Sequence, residues 1–300
     1  MIGPEEGIDV INRRFGSHPR RRALHAKGIW CSGSFTATPR ASELCRAAHL
    51  SGERVPVLAR VSNGGGDPDV PDYAPDVRGL AVSFELPDGS RTDLVAQSAP
   101  RFFSPTADDF FELLKANTGR SSAWRLPLYL ATHPLALGSL RANVPSLRPP
   151  ESYATSRYFT VHAYRWTAAD GSTRYTRSRW IPEAGEHRLG PRDARGRGRD
   201  FLKEEIIARL ASGTARWTLE TQIAGDGDDV DDPAREWPSE RVFVNTGTLE
   251  LDAIAPDPEA DGGVVVMDPT RVTDGIELSG DPVLNYRAKS YSASVERRLS

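Results

Sequence analysis

The chain has 300 residues, 38% hydrophobic and 26% charged, with a formal net charge of −3. That length suits one large domain or two modest ones, and the composition is that of a globular chain rather than a disordered one. A pI near 6.1 carries no global basic field for nucleic acid, and no apolar run reaches the roughly 20 residues of a membrane helix.

The N-terminus carries Glu5, Glu6 and Asp9 where a signal peptide would be basic and then apolar. The first twenty-odd residues, ending in Arg20, Arg21 and Arg22, read as a polar surface arm. Thr38-Pro39 predicts a helix start with a capping hydroxyl. Ala41, Leu44, Cys45 and Ala48 follow on one apolar face, so Cys45 reads as inert packing. Two cysteines, Cys31 and Cys45, are too few for a disulfide framework or a thiolate metal site, and they favour a reducing cytoplasm.

Val55 to Ser62 alternates strictly, with Val55, Val57, Ala59 and Val61 on one face and Arg60 and Ser62 on the other. Gly64-Gly65-Gly66 is a turn, with no Lys-Ser/Thr after it to make a phosphate loop. Leu80 to Leu86 alternates again, Asp88-Gly89 turns the chain, and Arg91 to Ala96 completes a meander. Thr106 caps a helix with Asp108 and Asp109 in its first turn and Phe110, Leu113 and Leu114 on its stripe; Gly119 ends it.

Residues 125–150 read as irregular helix and crossover. Tyr158 to Trp166 and Thr173 to Ile181, joined at Asp170-Gly171, predict a hairpin. Phe201 to Leu210 reads as a helix, and Ala215 to Ala224 as a strand. The acidic run Asp226 to Asp232 lacks the calcium-loop Gly and Glu and reads as a solvated loop. Residues 281–300 read as a final helix starting at Asp281-Pro282. Early strands with inserted helices predict an α+β fold on an antiparallel sheet, closed into a barrel. No linker divides the chain, so residues 1–300 are expected to form one domain.

Walker, nucleophile-elbow, His-Glu-x-x-His and Rossmann signatures are all missing. Of the 38 basic residues four are lysine, so a single arginine is a weak signal. Stronger is a set of segments in fixed order: Arg22 to Gly28 with His25, then Gly33 to Phe35; Val57 to Ser62, running to Arg78, Gly79 and Phe84; Asp93 to Val95, then Pro100 to Phe103 and Phe110; Asp232-Pro233 to Trp237-Pro238; and Gly275 to Glu277, Asp281-Pro282, Leu284, Arg287, Tyr291 and Arg298. This order and spacing resembles the haem-binding core of the catalase family. The short length and the Arg-x-x-x-Tyr ending look most like the catalase-related peroxidases, or minimal catalases.

The resemblance covers Arg20 to Arg298 and implies an eight-stranded antiparallel β-barrel with surrounding helices, holding haem b. Tyr291 would be the iron ligand, with Arg287 one helical turn earlier donating to its phenolate oxygen. Arg22, Arg60 and Arg298 would pair with the haem propionates. His25 would move a proton between the two oxygens of bound peroxide, a task suited to its ordinary pKa of ~6.5, with Ser62 fixing its tautomer. Phe102, Phe103 and Phe110 would wall the pocket, Phe110 stacking on the macrocycle. His18, His49, His133, His162 and His187 fit no motif and read as structural.

Gln97 stands where the family carries an asparagine, keeping the carboxamide donor on a longer stem. Ser-Ala-Ser follows Tyr291 instead of Pro-Asp-Thr, and the long arm and C-terminal additions of large catalases are missing, which would leave the haem edge open. The expected activity is reduction of hydrogen peroxide or organic hydroperoxides by a small organic donor, with weak catalase activity. The resemblance is compatible with a homodimer and implies no nucleic acid and no membrane. Two alternatives share the scaffold: a hydroperoxide-rearranging enzyme resembling allene oxide synthase, and a catalytically idle haem-binding protein.

Overall fold

A computed structural model describes residues 2–299. Ten strands form the sheet: β1 Gly28–Ala37, β2 Arg54–Asn63, β3 Arg78–Glu85, β4 Arg91–Gln97, β5 Tyr158–Phe159, β6 Tyr164–Thr167, β7 Thr173–Pro182, β8 Ala215–Ile223, β9 Phe243–Ile254 and β10 Ile276–Leu278. Their order is β10-β6-β7-β5-β4-β3-β2-β1-β9-β8, and β8 also pairs with β7. That pairing closes a ring of eight, with β6 following β5 along the same edge of β7 and β10 pairing with β6. Neighbouring strands are antiparallel, so the predicted eight-stranded antiparallel barrel is present.

The barrel is filled. Phe35 of β1, Phe84 of β3 and Trp180 of β7 come from separated strands and meet edge to face, with ring centroids 5.2 and 6.0 Å apart. Val55, Val57, Ala59 and Val61 join them in one buried cluster with Leu80 and Val82, as alternation predicts. Both cysteines are free and buried, and burial pushes the Cys31 thiol up to about 12.

Four helices matter for the site: α1 Pro4–Phe15, α3 Ala107–Ala116, α5 Pro134–Asn143 and α8 Pro282–Leu299, with α2 Pro39–Leu44, α4 Ser122–Thr132, α6 Pro191–Gly196 and α7 Phe201–Ser212 elsewhere. The polar arm expected at the N-terminus is instead α1. Ile8, Val10 and Ile11 are buried on one face, against Ala107 and Phe111 of α3 and Tyr286 and Ala293 of α8. The charges that suggested an arm occupy its other face. α1 is thereby held to the far end of the chain, where Arg297 Nη1 donates to Asp9 Oδ1.

Other boundaries also shift. Thr38 does not cap α2; its hydroxyl donates to the Asn245 carbonyl. Thr106 does cap α3, accepting from the Asp109 amide, but the helix ends at Ala116, before Gly119. The expected strand over Tyr158–Trp166 breaks in two along one edge of β7, β5 pairing onward with β4 and β6 with β10.

The acidic run is not simply solvated. Asp228 pairs with Arg241, the Asp229 carbonyl accepts from the Trp237 indole, and Asp231 accepts from the Gly280 amide just ahead of α8. Among the described residues, no helix is long and apolar enough to cross a membrane.

Candidate active site

The outward face of β2–β4 carries small and polar side chains where the inward face is apolar. Register places Gly28, Ser62, Gly79, Gln97 and Phe159 in one row across β1–β5. Between this face and α1, α3 and α8 lies a cavity of about 730 Å³. All eleven residues singled out in the sequence line it: Arg22, His25, Arg60, Ser62, Gln97, Phe102, Phe103, Phe110, Arg287, Tyr291 and Arg298.

His25 sits in the segment between α1 and β1 with φ +56°. Its amide donates to the Gly64 carbonyl, and its own carbonyl accepts from Arg60 Nη1 at 2.8 Å. The ring lies beside Ser62, with Nδ1 and Oγ 3.0 Å apart. Gly79 makes room for this pair: a Cβ there would come 2.7 Å from His25 Nδ1 and 2.8 Å from Ser62 Oγ. Nothing in the sequence reading gave Gly79 that task. The ordinary imidazole pKa expected for His25 does not hold. Burial, then the charges of Arg60, Arg287 and Arg22, push it down to about 3, so the ring is neutral near pH 7.

Opposite, on α8, Arg287 Nη1 donates to Tyr291 Oη at 3.3 Å, the contact their four-residue spacing predicts. The Arg287 guanidinium also lies over the Phe102 ring. Phe102 packs against Phe110 with centroids 5.2 Å apart and against Phe103 at 6.3 Å. Phe110 therefore belongs to an aromatic wall.

His162, read as structural, stands behind this wall. Its Nδ1 donates to Asp281 Oδ2 at 2.6 Å, and Asp281 Oδ1 caps α8 through the amides of Val283 and Leu284. Burial and the Arg287 charge hold the His162 pKa low, against Asp281, so the hydrogen bond leaves Nε2 as a buried acceptor without a partner. The available signal was the aspartate before Pro282, which caps a helix with one oxygen and leaves the other free.

Gln97 also departs from expectation. Its amide nitrogen donates to the carbonyls of Ala99 and Arg101, at 3.3 and 3.0 Å. Both N–H groups are spent, so Gln97 brings an acceptor oxygen to the cavity instead of a donor.

At the rim, Arg22 and Arg298 both donate to Glu259 Oε1, at 3.1 and 2.8 Å. Arg60 spends Nη1 and Nη2 on the carbonyls of His25 and Ala26, and burial lowers its pKa to about 10. The Nε groups of all three arginines are buried without a partner. Unpaired buried donors are costly, and three at one rim point to a ligand bearing acceptor oxygens.

The catalase family model matches residues 16–300. The chain belongs to the catalase family. A catalase-related peroxidase of Mycolicibacterium paratuberculosis is 48% identical over 298 residues, spanning 99% of this chain and 95% of the relative. Another, of Synechococcus elongatus, is 32% identical over 302 residues, spanning 99% of this chain and 89% of the relative.

The fold is that of the larger catalases. A fungal catalase structure superposes with a TM-score of 0.83 at 23% identity, over 94% of this chain and 60% of that one. Catalase A of Saccharomyces cerevisiae gives 0.83 at 22% identity, over 95% and 62%.

Catalases bind haem, and this catalase-family cavity fits one. The fit rests on the three orphaned guanidinium donors at one rim, which suit carboxylates, on the aromatic wall of Phe102, Phe103 and Phe110, and on a phenol held by an arginine facing the same space.

Proposed function

We propose that the chain is a peroxidase using haem b, reducing hydrogen peroxide or small organic hydroperoxides with an organic electron donor. The observation that carries this reading is the convergence of Tyr291 with Arg287 and of His25 with Ser62 on one cavity. Tyr291 would hold the iron as phenolate, with the Arg287 N–H stabilising the negative oxygen. Arg22, Arg60 and Arg298 would take the carboxylates on their free Nε donors. When bound, the haem supplies the two electrons that cleave the peroxide O–O bond, and the organic donor restores them.

The chain's own part is proton management. With its Nδ1 proton donated to Ser62 Oγ, His25 turns the lone pair of Nε2 to the cavity. It takes the proton of one peroxide oxygen and returns it to the departing one, so that water leaves. A residue whose pKa is about 3 is a weak base but, once protonated, a strong acid, so the proton passes on quickly. The phenylalanine wall keeps bulk water from competing.

Gln97 tilts the balance between reductants. With both amide protons committed to backbone carbonyls, it offers no donor to orient a second peroxide. An organic donor is then favoured over peroxide dismutation, which leaves catalase activity weak. The test is oxidation of guaiacol by hydrogen peroxide with haem-loaded protein. Turnover well above free haem is expected; haem-loaded protein that leaves guaiacol unoxidised overturns the reading.

A further inference from the structure

A second pocket adjoins the first. It measures about 250 Å³, and Arg20, Arg21, Arg22, Arg297, Arg298 and His18 stand round it. Arg22, Ser294 and Arg298 line both cavities, so one layer of side chains separates them. The charge is unbalanced. Arg297 is met by Asp9, and Arg22 and Arg298 share Glu259; His18 Nε2 contacts the Phe15 carbonyl. The guanidinium groups of Arg20 and Arg21 have no hydrogen-bond or ion-pair partner among the described residues, and both are exposed to water.

The backbone here is held in an uncommon form. Arg20 has φ +62° and His25 φ +56°, the two non-glycine residues of the described chain with positive φ. Such values in L-residues are kept where the surroundings demand them. One segment thus turns twice, placing His25 in the large cavity and the Arg20–Arg22 run round the small one.

We infer that this pocket is the binding site of the reducing substrate, and that this substrate is a small organic anion, a carboxylate on a single oxidisable ring. The inference rests on the peroxidase reading above and deepens it. The volume falls just below the roughly 300–1,000 Å³ of sites for larger ligands, which suits one ring. Unpaired guanidinium groups recognise a carboxylate by paired N–H donors. A donor seated there need not enter the cavity where His25 works; it is one side chain away. The chemistry balances: two donor molecules each lose one hydrogen atom, as an electron and a proton, and one hydrogen peroxide becomes two waters.

Ferulate and guaiacol share the methoxyphenol that is oxidised and differ in the carboxylate, so they separate binding from chemistry. The experiment compares haem-loaded wild type with the double variant Arg20→Gln plus Arg21→Gln. Neither residue belongs to the machinery above, and an unchanged absorption spectrum verifies folding and haem content. The KM for ferulate should rise roughly two- to thirtyfold, the range for two exposed ion pairs, while guaiacol kinetics stay unchanged. Calorimetry without peroxide should show ferulate binding to wild type and weaker binding to the variant. An unchanged KM for ferulate, an equal loss for both donors, or no ferulate binding to wild type overturns the inference. If neither donor is oxidised, the peroxidase reading fails, and the calorimetry still decides whether the pocket takes the anion.

Discussion

The two faces of β2–β4 are made from alternate residues of the same strands and do opposite work. Inward, Val57, Ala59, Val61, Leu80, Val82 and Phe84 are at most 5% exposed and interlock with side chains from across the barrel. Outward, Arg60, Ser62, Gly79 and Gln97 leave a cavity beneath three helices. The contrast extends to two histidines. His49 packs against Phe35 and Phe84 in the core, and its pKa is pushed down to about 4 by burial alone. His25 is only partly buried, with Ser62, a cavity and three arginines around it. Burial makes both neutral; only the outward one has an open space in which to exchange a proton.

That contrast can be broken experimentally. The largest effect belongs to the outward face. Replacing His25 by Ala should leave haem bound and cut peroxide-driven guaiacol oxidation by about 10²–10⁴-fold, the usual range for a lost acid–base group; steady-state rates at matched haem content check it. On the inward face, Leu80→Ala should cost about 2–5 kcal/mol of stability in denaturant unfolding, with turnover per folded molecule preserved.

Its neighbour should behave the other way. Gly79→Ala pushes a methyl into His25 and Ser62, so turnover should fall on the order of 10²-fold, as for a catalytic group displaced by about 1 Å. Ferric haem binding and the thermal midpoint should change far less. A Gly79→Ala protein with full activity would show that the His25–Ser62 arrangement is not needed.

Acid supplies the most gradual test. His25 and His49 stay neutral in the fold but gain a proton in the unfolded chain below about pH 6.5. Their folded pKa values are depressed, so their stabilising contribution is complete above that pH. It is lost as pH falls, toward about 4 for His49 and about 3 for His25. Each should remove about 1.4 kcal/mol of stability per pH unit within its window. His49→Phe should halve the acid slope of unfolding free energy that the pair contributes. The His25 value also predicts no activity inflection near pH 6.5.

Much of this was legible in the sequence, for identifiable reasons. Strict alternation gave β2, β3 and β4 their faces, and the ordered segments from Arg22 to Arg298 brought eleven residues to one cavity. What escaped depends on partners distant in sequence. α1 looked like a polar arm because Ile8, Val10 and Ile11 find their cover on α3 and α8. β1 and β9 were not assigned because Gly33 and Gly247 interrupt their patterns; Gly33 is required where a side chain would strike the Glu250 carbonyl. His162 acquires meaning only beside Asp281, and the donors of Gln97 are spent on a loop turning behind it. The depressed pKa of His25 comes first from burial and then from three arginines on three different segments.

The most direct test of the account is the absorption spectrum of haem-loaded wild type and Tyr291→Phe, each before and after one equivalent of hydrogen peroxide. The wild type should give a high-spin ferric spectrum with a phenolate charge-transfer band that shifts on peroxide, and Tyr291→Phe should lose that band and weaken haem retention. A wild type without a Soret band, or a Tyr291→Phe spectrum identical to it, would contradict the claim that this cavity holds haem through Tyr291.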